Sequence, residues 1–172
     1  MTEKKIQRAL FALYGDSSAL MIPNYTPRHW WECDMYRVTK AGYGEEFEIK
    51  LSVSDFKADA KKEPDDWTKR IHREKRDGGL KHLSKHERLA LSDRQAPRRF
   101  SFVMPADVAA KVEIPEWAGL MVMVDHAAYP RVEKKAPLLH KDKVDPRVIE
   151  HARSVFYYRY WNLRNGQKEA AS

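Results

Sequence analysis

Three side chains near the stretch EEFEIKLSVSDFKAD, residues 45–59, have the types and spacing for chemistry on a phosphate. Asp34 precedes Glu48 and Lys50, and only Ile49 separates the last two. Two carboxylates held a few ångströms apart repel each other unless a cation lies between them, and Mg²⁺ or Mn²⁺ suits such hard oxygens. The Ile49 carbonyl could be a further ligand. A metal held there would activate a water for phosphodiester hydrolysis, and Lys50 would orient or deprotonate that water or neutralise the developing charge.

A β-hairpin is the element that would bring these residues together. Residues 29–39, HWWECDMYRVT, are rich in aromatic and β-branched residues, and a turn with two glycines joins them to a second strand at 45–53. Because side chains alternate along a strand, Glu48 and Lys50 share one face of the second strand. A register that matches the apolar sides then places Asp34 beside Glu48. The alternative is a hairpin with one solvated face of alternating charges.

The remaining elements predict a mixed α/β domain of about four strands, flanked by helices and spanning residues 1–172. Capping residues and apolar periodicity predict helices over 2–14, from Ser54, over 84–90 and over about 145–164, and apolar runs predict strands at 98–105 and 118–125. The aromatic stretch at 156–164 is explained mostly by packing of the last helix on the sheet.

Composition excludes several classes of protein. With 42% hydrophobic and 33% charged residues the chain is globular rather than disordered. The one cysteine, Cys33, excludes an internal disulfide framework and indicates a reducing cytoplasm. No apolar run approaches the roughly 18 residues of a membrane span, so no membrane partner is expected.

The net charge of +7 is concentrated in two blocks. Residues 57–99 carry 14 Lys and Arg against 8 Asp and Glu, and residues 131–172 carry 10 against 5. Such blocks favour a polyanionic partner. The alternative is that the charge serves solubility alone.

The stretch from Trp31 to Lys62 resembles the PD-(D/E)XK nuclease superfamily, and most closely its MmcB-like DNA repair branch. The likeness is carried by Asp34 and by EIKLSVSDFKADAKK at 48–62, and continues through RRFSFVMPADV at 98–108, IPEWAGLMVMVD at 114–125 and KKAPLL at 134–139. Cys33 stands where that superfamily usually has a proline, at a position that is degenerate within it.

The resemblance implies a restriction-endonuclease-like core and a metal-dependent DNA nuclease of repair, recombination or phage DNA metabolism. Asp34 and Glu48 would bind Mg²⁺ or Mn²⁺, Lys50 would assist catalysis, and Glu3 matches a helical glutamate that many relatives use as a further ligand. For Glu3 the alternative is a partner for the helix dipole. Asp59 matches a family helix, where it would fix that helix near the site. The alternative function is a nucleic-acid-binding or phage–host interaction protein without turnover.

A basic insertion at 63–97 departs from the compact MmcB-like pattern, and could clamp nucleic acid beside the metal. Its sequence KHE at 85–87 is similar to that of phage-encoded relatives. The resemblance also leaves a homodimer as one of the expected oligomeric states, because two-fold dimers are common among relatives. The residues expected to contact DNA are Lys57, Lys61, Lys81, Lys85, His86, Arg88 and Arg159.

Overall fold

Six strands lie side by side in chain order in the computed structural model, which describes residues 1–59 and 83–166. The first three strands are antiparallel, the third, fourth and fifth run parallel, and the sixth is antiparallel to the fifth. The strands are β1 (Ser18–Tyr25), β2 (Cys33–Thr39), β3 (Gly44–Ile49), β4 (Arg99–Pro105), β5 (Gly119–Met123) and β6 (Arg131–Lys134).

Helices cover both faces of this sheet. They are α1 (Glu3–Tyr14), α2 (Val53–Asp59), α3 (Lys85–Ala90), the short α4 (Ala106–Ala109) and α5 (Pro146–Arg164), with a 3₁₀ turn at Gly15–Ser17. Within the described ranges, none of the helices is both long and apolar enough to cross a bilayer.

Two apolar cores lie on opposite faces of the sheet. On one face, Ile6 and Leu10 of α1 pack against Met35, Phe47 and neighbouring side chains of the central strands. On the other face, a larger core joins the sheet to α3, α4 and α5 and is partly covered by α2. Its buried members include Tyr36, Phe100, Phe102, Leu89, Val108 and Ala152. The sheet is therefore the middle of three layers, and both sides of β3 are buried.

Local signals in the sequence explain where several elements begin and turn. The Ser84 hydroxyl accepts a hydrogen bond from the Glu87 amide, and the Glu87 carboxylate accepts one from the Ser84 amide, which forms a capping box at α3. Asp145 caps α5 ahead of Pro146. Between β2 and β3, Gly42 has φ +86°, a conformation that side chains disfavour and that lets the hairpin turn.

The expected sheet of about four strands was too small. The missed strand β1 contains Pro23 and Asn24, and Asn24 has a positive φ of 48°. A proline is tolerated there because β1 is an edge strand with β2 as its one neighbour. The missed strand β6 is four residues long and mostly exposed, so it has no apolar alternation to predict it. Of the basic insertion, residues 63–82 lie outside the described residues.

Candidate functional site

The hairpin places Asp34 beside the end of β3. Met35 pairs with Phe47 and Tyr36 with Glu46, a register that sets Asp34 across from Glu48. The Ile49 backbone N–H donates to Asp34 Oδ2 at 2.6 Å. The Asp34 side chain thus accepts from a backbone N–H that would otherwise pair with the neighbouring strand, and this bond holds the Asp34 carboxyl where β3 ends.

Asp34 lies in a crowded, half-buried acidic environment. Burial raises the pKa of its carboxyl, the negative charges of Glu48 and Glu3 raise it further, and the Ile49 N–H and the Lys50 charge oppose them, so that the pKa reaches about 7. Near neutral pH the Asp34 carboxyl is therefore present in both its protonated and its ionised form. A cation placed among these acids would favour the charged form.

Glu3, at the start of α1, is tied to the same corner of the molecule. Its Oε1 accepts hydrogen bonds from Gln7 Nε2 at 2.9 Å and from Asn24 Nδ2 at 3.2 Å. Gln7 Nε2 also donates to the Asp34 backbone carbonyl at 2.9 Å. The helix, the end of β1 and the start of β2 are thereby joined, and Glu3 is held close enough to affect Asp34.

The polar face of β3 is buried, which excludes the solvated-face alternative. Glu46 and Glu48 are each 1% exposed and Lys50 is 5% exposed. Lys50 Nζ donates to Glu48 Oε1 and to Asp59 Oδ1, both at 2.9 Å. Although burial alone lowers the pKa of Lys50, the charges of Glu48 and Asp59 raise it above its ordinary value. Lys50 therefore stays an ammonium and cannot serve as a general base.

Lys85, on α3, supplies a second buried cation. Its Nζ lies 2.8 Å from Glu48 Oε2 and 2.6 Å from Glu46 Oε1, and its side chain is fully buried. The contact with Glu46 is an ion pair at an angle unsuited to a hydrogen bond, whereas the other oxygen of Glu46 accepts from Trp30 Nε1 at 2.7 Å. Burial lowers the pKa of Lys85, but the two glutamates raise it well above its ordinary value.

Asp59, at the end of α2, closes this arrangement. Its Oδ2 lies 2.7 Å from Nε2 of His86, whose ring stacks edge-on against Trp117 at a centroid distance of 4.9 Å. Burial alone raises the pKa of Asp59, but the His86 hydrogen bond and the Lys50 charge hold it well below its usual range. We call the connected set the buried charge network: Glu46, Lys85, Glu48, Lys50, Asp59 and His86.

Several residues expected to contact DNA are used inside the protein instead. Lys85 is enclosed between two glutamates, and Arg88 is 6% exposed. The Arg88 guanidinium lies over the rings of Trp30 and Trp31 and donates to Asp93 and Gln95. Neither side chain is a surface cation, so both expectations are corrected. A lysine on an amphipathic helix gives no local sign that its partners, Glu46 and Glu48, lie on a distant strand.

The other expected DNA contacts have different positions. Arg159 donates to the backbone carbonyls of Pro23 and Asn24 and so fastens α5 to β1. His86 is mostly buried against Asp59. Lys57 is exposed on α2, and Lys61 and Lys81 lie outside the described residues.

The aromatic side chains of α5 contradict the expectation that they mostly pack on the sheet. Tyr157, Tyr158 and Tyr160 are 57–63% exposed and Trp161 is 45% exposed. The ring pairs along this face are edge-to-face, with centroids 5.5 Å apart for Tyr157–Tyr158 and for Tyr160–Trp161. Of this helix only Ala152 is fully buried. Aromatic rings that are exposed to solvent, as these are, are suited to stacking on unpaired bases.

The site suits a cation held by few protein ligands. Within residues 1–59 and 83–166 no three His, Cys, Asp or Glu side chains form a ready metal cage. Mg²⁺ does not require one, since it usually keeps several waters and binds through one or two carboxylates and substrate phosphates. Each carboxylate oxygen has two lone pairs, so Glu48 can keep both lysine contacts and still bind an ion. Asp34 and Glu48 therefore fit Mg²⁺ or Mn²⁺.

Comparisons with known proteins show the fold alone. No protein-family model matches the chain, and no curated protein matches it. Over 99% of this chain and 96% of the other, the structure is similar to that of a protein of unknown function from Silicibacter pomeroyi, with a TM-score of 0.63 and 17% identity. The six-stranded architecture is thus shared with a solved structure of distant sequence.

Proposed function

We propose that this protein is a metal-dependent DNA nuclease with a restriction-endonuclease-like core. The observation that carries the proposal is the position of Asp34, whose carboxyl is partly buried and lies near Glu48 and Glu3, so that burial first and these two charges second raise its pKa to about 7. A divalent cation bound beside Asp34 would offset the repulsion that Glu48 and Glu3 impose on its carboxylate. The antiparallel hairpin, the helix α2 that follows it and the parallel strand β4 support the fold.

The chain's own residues have distinct tasks in this proposal. Asp34 and Glu48 would hold Mg²⁺ or Mn²⁺, with the Ile49 carbonyl near them. The ion would supply a water of lowered pKa and positive charge at the scissile phosphate. Lys50 uses two of its three N–H groups on Glu48 and Asp59, and the third can donate to a phosphate oxygen. Its role is charge stabilisation, because the ammonium does not deprotonate near neutral pH.

DNA would be held by surfaces around this corner rather than by the buried network. Lys57 is exposed on α2, the helix that begins four residues after β3 ends. The exposed rings of α5 suit an unpaired strand. Binding through phosphates should weaken steeply with salt, because each contact releases counterions.

The experiment is a cleavage assay with Mg²⁺ or Mn²⁺ on single-stranded, duplex and branched DNA. Asp34→Asn should reduce cleavage at least about 100-fold while leaving DNA binding within a few-fold. The matched control is Asp16→Asn, the same chemical change at an exposed carboxylate in the 3₁₀ turn. Cleavage by Asp34→Asn equal to that of the wild type would show that Asp34 does not hold a catalytic metal ion.

A second candidate is a nucleic-acid-binding protein that keeps the fold without turnover. One observation favours it: both Glu48 oxygens and the Lys50 ammonium already have partners inside the protein. This candidate predicts DNA binding with no cleavage of any of the three substrates at any Mn²⁺ concentration. Metal-dependent products that disappear in Asp34→Asn would exclude it.

A further inference from the structure

A second cavity lies at the opposite end of β3 from Asp34 and Glu48. It has a volume of about 460 Å³ and is bordered by Gly44, where β3 begins, by Arg98 just before β4, and by Val148 in the first turn of α5. Four strand steps separate Gly44 from Glu48, which is about 13 Å. The cavity is therefore separate from the candidate nuclease site, and the inference does not depend on that proposal.

The lining of this cavity has an excess of positive charge. Five cationic side chains border it against two carboxylates, Asp142 and Asp145. Arg94 lies 3.3 Å from Asp142, and Arg147 lies 2.6 Å from Asp145, so each acid is matched by one arginine. Three further cations border the cavity and form no ion pair among the described residues: Arg28, Arg98 and Lys143. The pKa of Asp145 is lowered by its Arg147 hydrogen bonds and, to a smaller extent, by the Arg28 charge, so Arg28 lies within electrostatic reach of that acid.

Arg98 combines a fixed position with an unsatisfied donor. Its guanidinium lies over the Tyr43 ring, 3.6 Å from the centroid. Its Nε is buried and has no hydrogen-bond acceptor among the described residues. A planar guanidinium held by stacking is suited to an anion with oxygens spaced for two parallel hydrogen bonds.

The wall beside Arg98 is held in place before any ligand arrives. His140 Nε2 lies 2.8 Å from the Ala96 carbonyl, and the Asp142 amide donates to His140 Nδ1 at 3.2 Å. Because Nδ1 accepts from the Asp142 amide, Nε2 is the ring nitrogen that donates to the Ala96 carbonyl. His140 thus anchors the loop.

Size and charge together indicate the class of ligand. A volume of about 460 Å³ falls within the range of small-molecule sites, which is about 300–1,000 Å³. The net excess of three positive charges in the lining is more than one carboxylate would neutralise, whereas a phosphate monoester carries up to two negative charges near neutral pH. We propose that this cavity binds a phosphate monoester, with phosphate oxygens accepting from Arg98 while Arg28 and Lys143 supply further positive charge. A free nucleotide and a nucleic-acid end both carry such a group, and paired probes separate these two sources.

Calorimetry on the full chain tests this with paired probes. The first pair is dAMP and deoxyadenosine, and the second is a short oligothymidine with a 5′-phosphate and the same strand with a 5′-hydroxyl. In at least one pair the phosphorylated member should bind at least about tenfold more tightly. Preference within the first pair identifies a free nucleotide, and preference confined to the second identifies a strand end. No preference in either pair overturns the proposal.

Variants locate the binding. Arg98→Gln should weaken the phosphorylated probe at least about tenfold, and Arg98→Lys should weaken it less because it keeps the charge. The matched control is Arg8→Gln, at an exposed arginine on α1, which should stay within about twofold. If Arg98→Gln does not fold, Arg28→Gln at the exposed rim takes its place. Unchanged affinity in the cavity variant, or an equal loss in Arg8→Gln, contradicts a local site.

Discussion

Removing the ammonium of Lys85 tests the buried charge network most severely. Lys85 contacts two carboxylates at 2.6 and 2.8 Å and has no exposed side-chain surface. At an effective dielectric constant of about 20, a charge pair at about 4 Å contributes about 4 kcal/mol, and desolvation offsets much of this. Lys85→Met leaves two buried acids without their shared cation. We expect the free energy of unfolding to fall by about 3–5 kcal/mol, the range found when one partner of a buried pair is removed.

The loss should depend on pH in a definite direction. Burial already raises the pKa of Glu46, and Lys85 is the largest influence that lowers it. Without Lys85 the folded-state pKa of Glu46 rises further above its unfolded value of about 4.3. A group with a raised folded pKa contributes stability that is present below the unfolded pKa and lost as pH rises through the folded pKa. The deficit of Lys85→Met should therefore be larger at pH 8 than at pH 5.

Urea unfolding followed by tryptophan fluorescence measures both effects. For an m-value of about 2 kcal/mol/M, the midpoint of Lys85→Met should fall by about 2 M. Lys57→Met, the same change at an exposed lysine, should stay within about 0.5 kcal/mol of the wild type. Adding Glu46→Gln to Lys85→Met should recover part of the loss, since one unpaired charge is gone. A Lys85→Met variant within about 1 kcal/mol of the wild type at both pH values would refute the network.

Three further changes have defined outcomes. Asp34→Asn should stabilise the protein by about 2 kcal/mol more at pH 8 than at pH 5, because the Asp34 pKa of about 7 makes its ionisation costly in the folded state. Urea titrations at the two pH values measure this difference, and an equal effect at both would contradict the raised pKa. Arg88→Gln should lower the free energy of unfolding by about 1–3 kcal/mol, because it leaves Asp93 without its partner. The DNA affinity of the folded variant should be unchanged in anisotropy titrations. Weaker DNA binding at unchanged stability would show that Arg88 contacts DNA after all. Ser84→Ala should cost about 1 kcal/mol through the lost cap of α3, measured by thermal unfolding, and no change would show that packing alone holds this helix.

The sequence predicted the elements that carry strong local signals. The capping pair Ser84 and Glu87, the Asp145–Pro146 start of α5 and the glycines between β2 and β3 each act within a few residues. For that reason the helices at both ends of the described chain and the hairpin agree with expectation. The edge strands β1 and β6 could not be predicted in this way, because their pairing depends on neighbours rather than on their own pattern.

The site was predictable in part for the same reason. Asp34, Glu48 and Lys50 lie on one hairpin, so alternation and register suffice to bring them together. Lys85 binds Glu48 across 37 positions of sequence, and no local pattern reveals such a partner. The sequence did contain one indication of a second cation. Glu46 and Glu48 share a strand face with Lys50 alone, and two buried carboxylates require more positive charge than one lysine supplies.

The exposed rings of α5 show a case in which a local pattern gave the wrong prediction. Apolar spacing in a terminal helix favours packing on the sheet, yet contact with β1 is made mainly through its first half and through Arg159. A sequence alone does not state how much sheet surface is left for a helix to cover.

The most direct test of the central claim is calorimetric titration of Mn²⁺ into the wild type and Asp34→Asn at pH 8. If Asp34 and Glu48 share an ion, the wild type binds Mn²⁺ at one site per chain and the variant binds at least about tenfold more weakly. Equal binding by both proteins, or no binding by the wild type with DNA present, would contradict a metal-dependent nuclease.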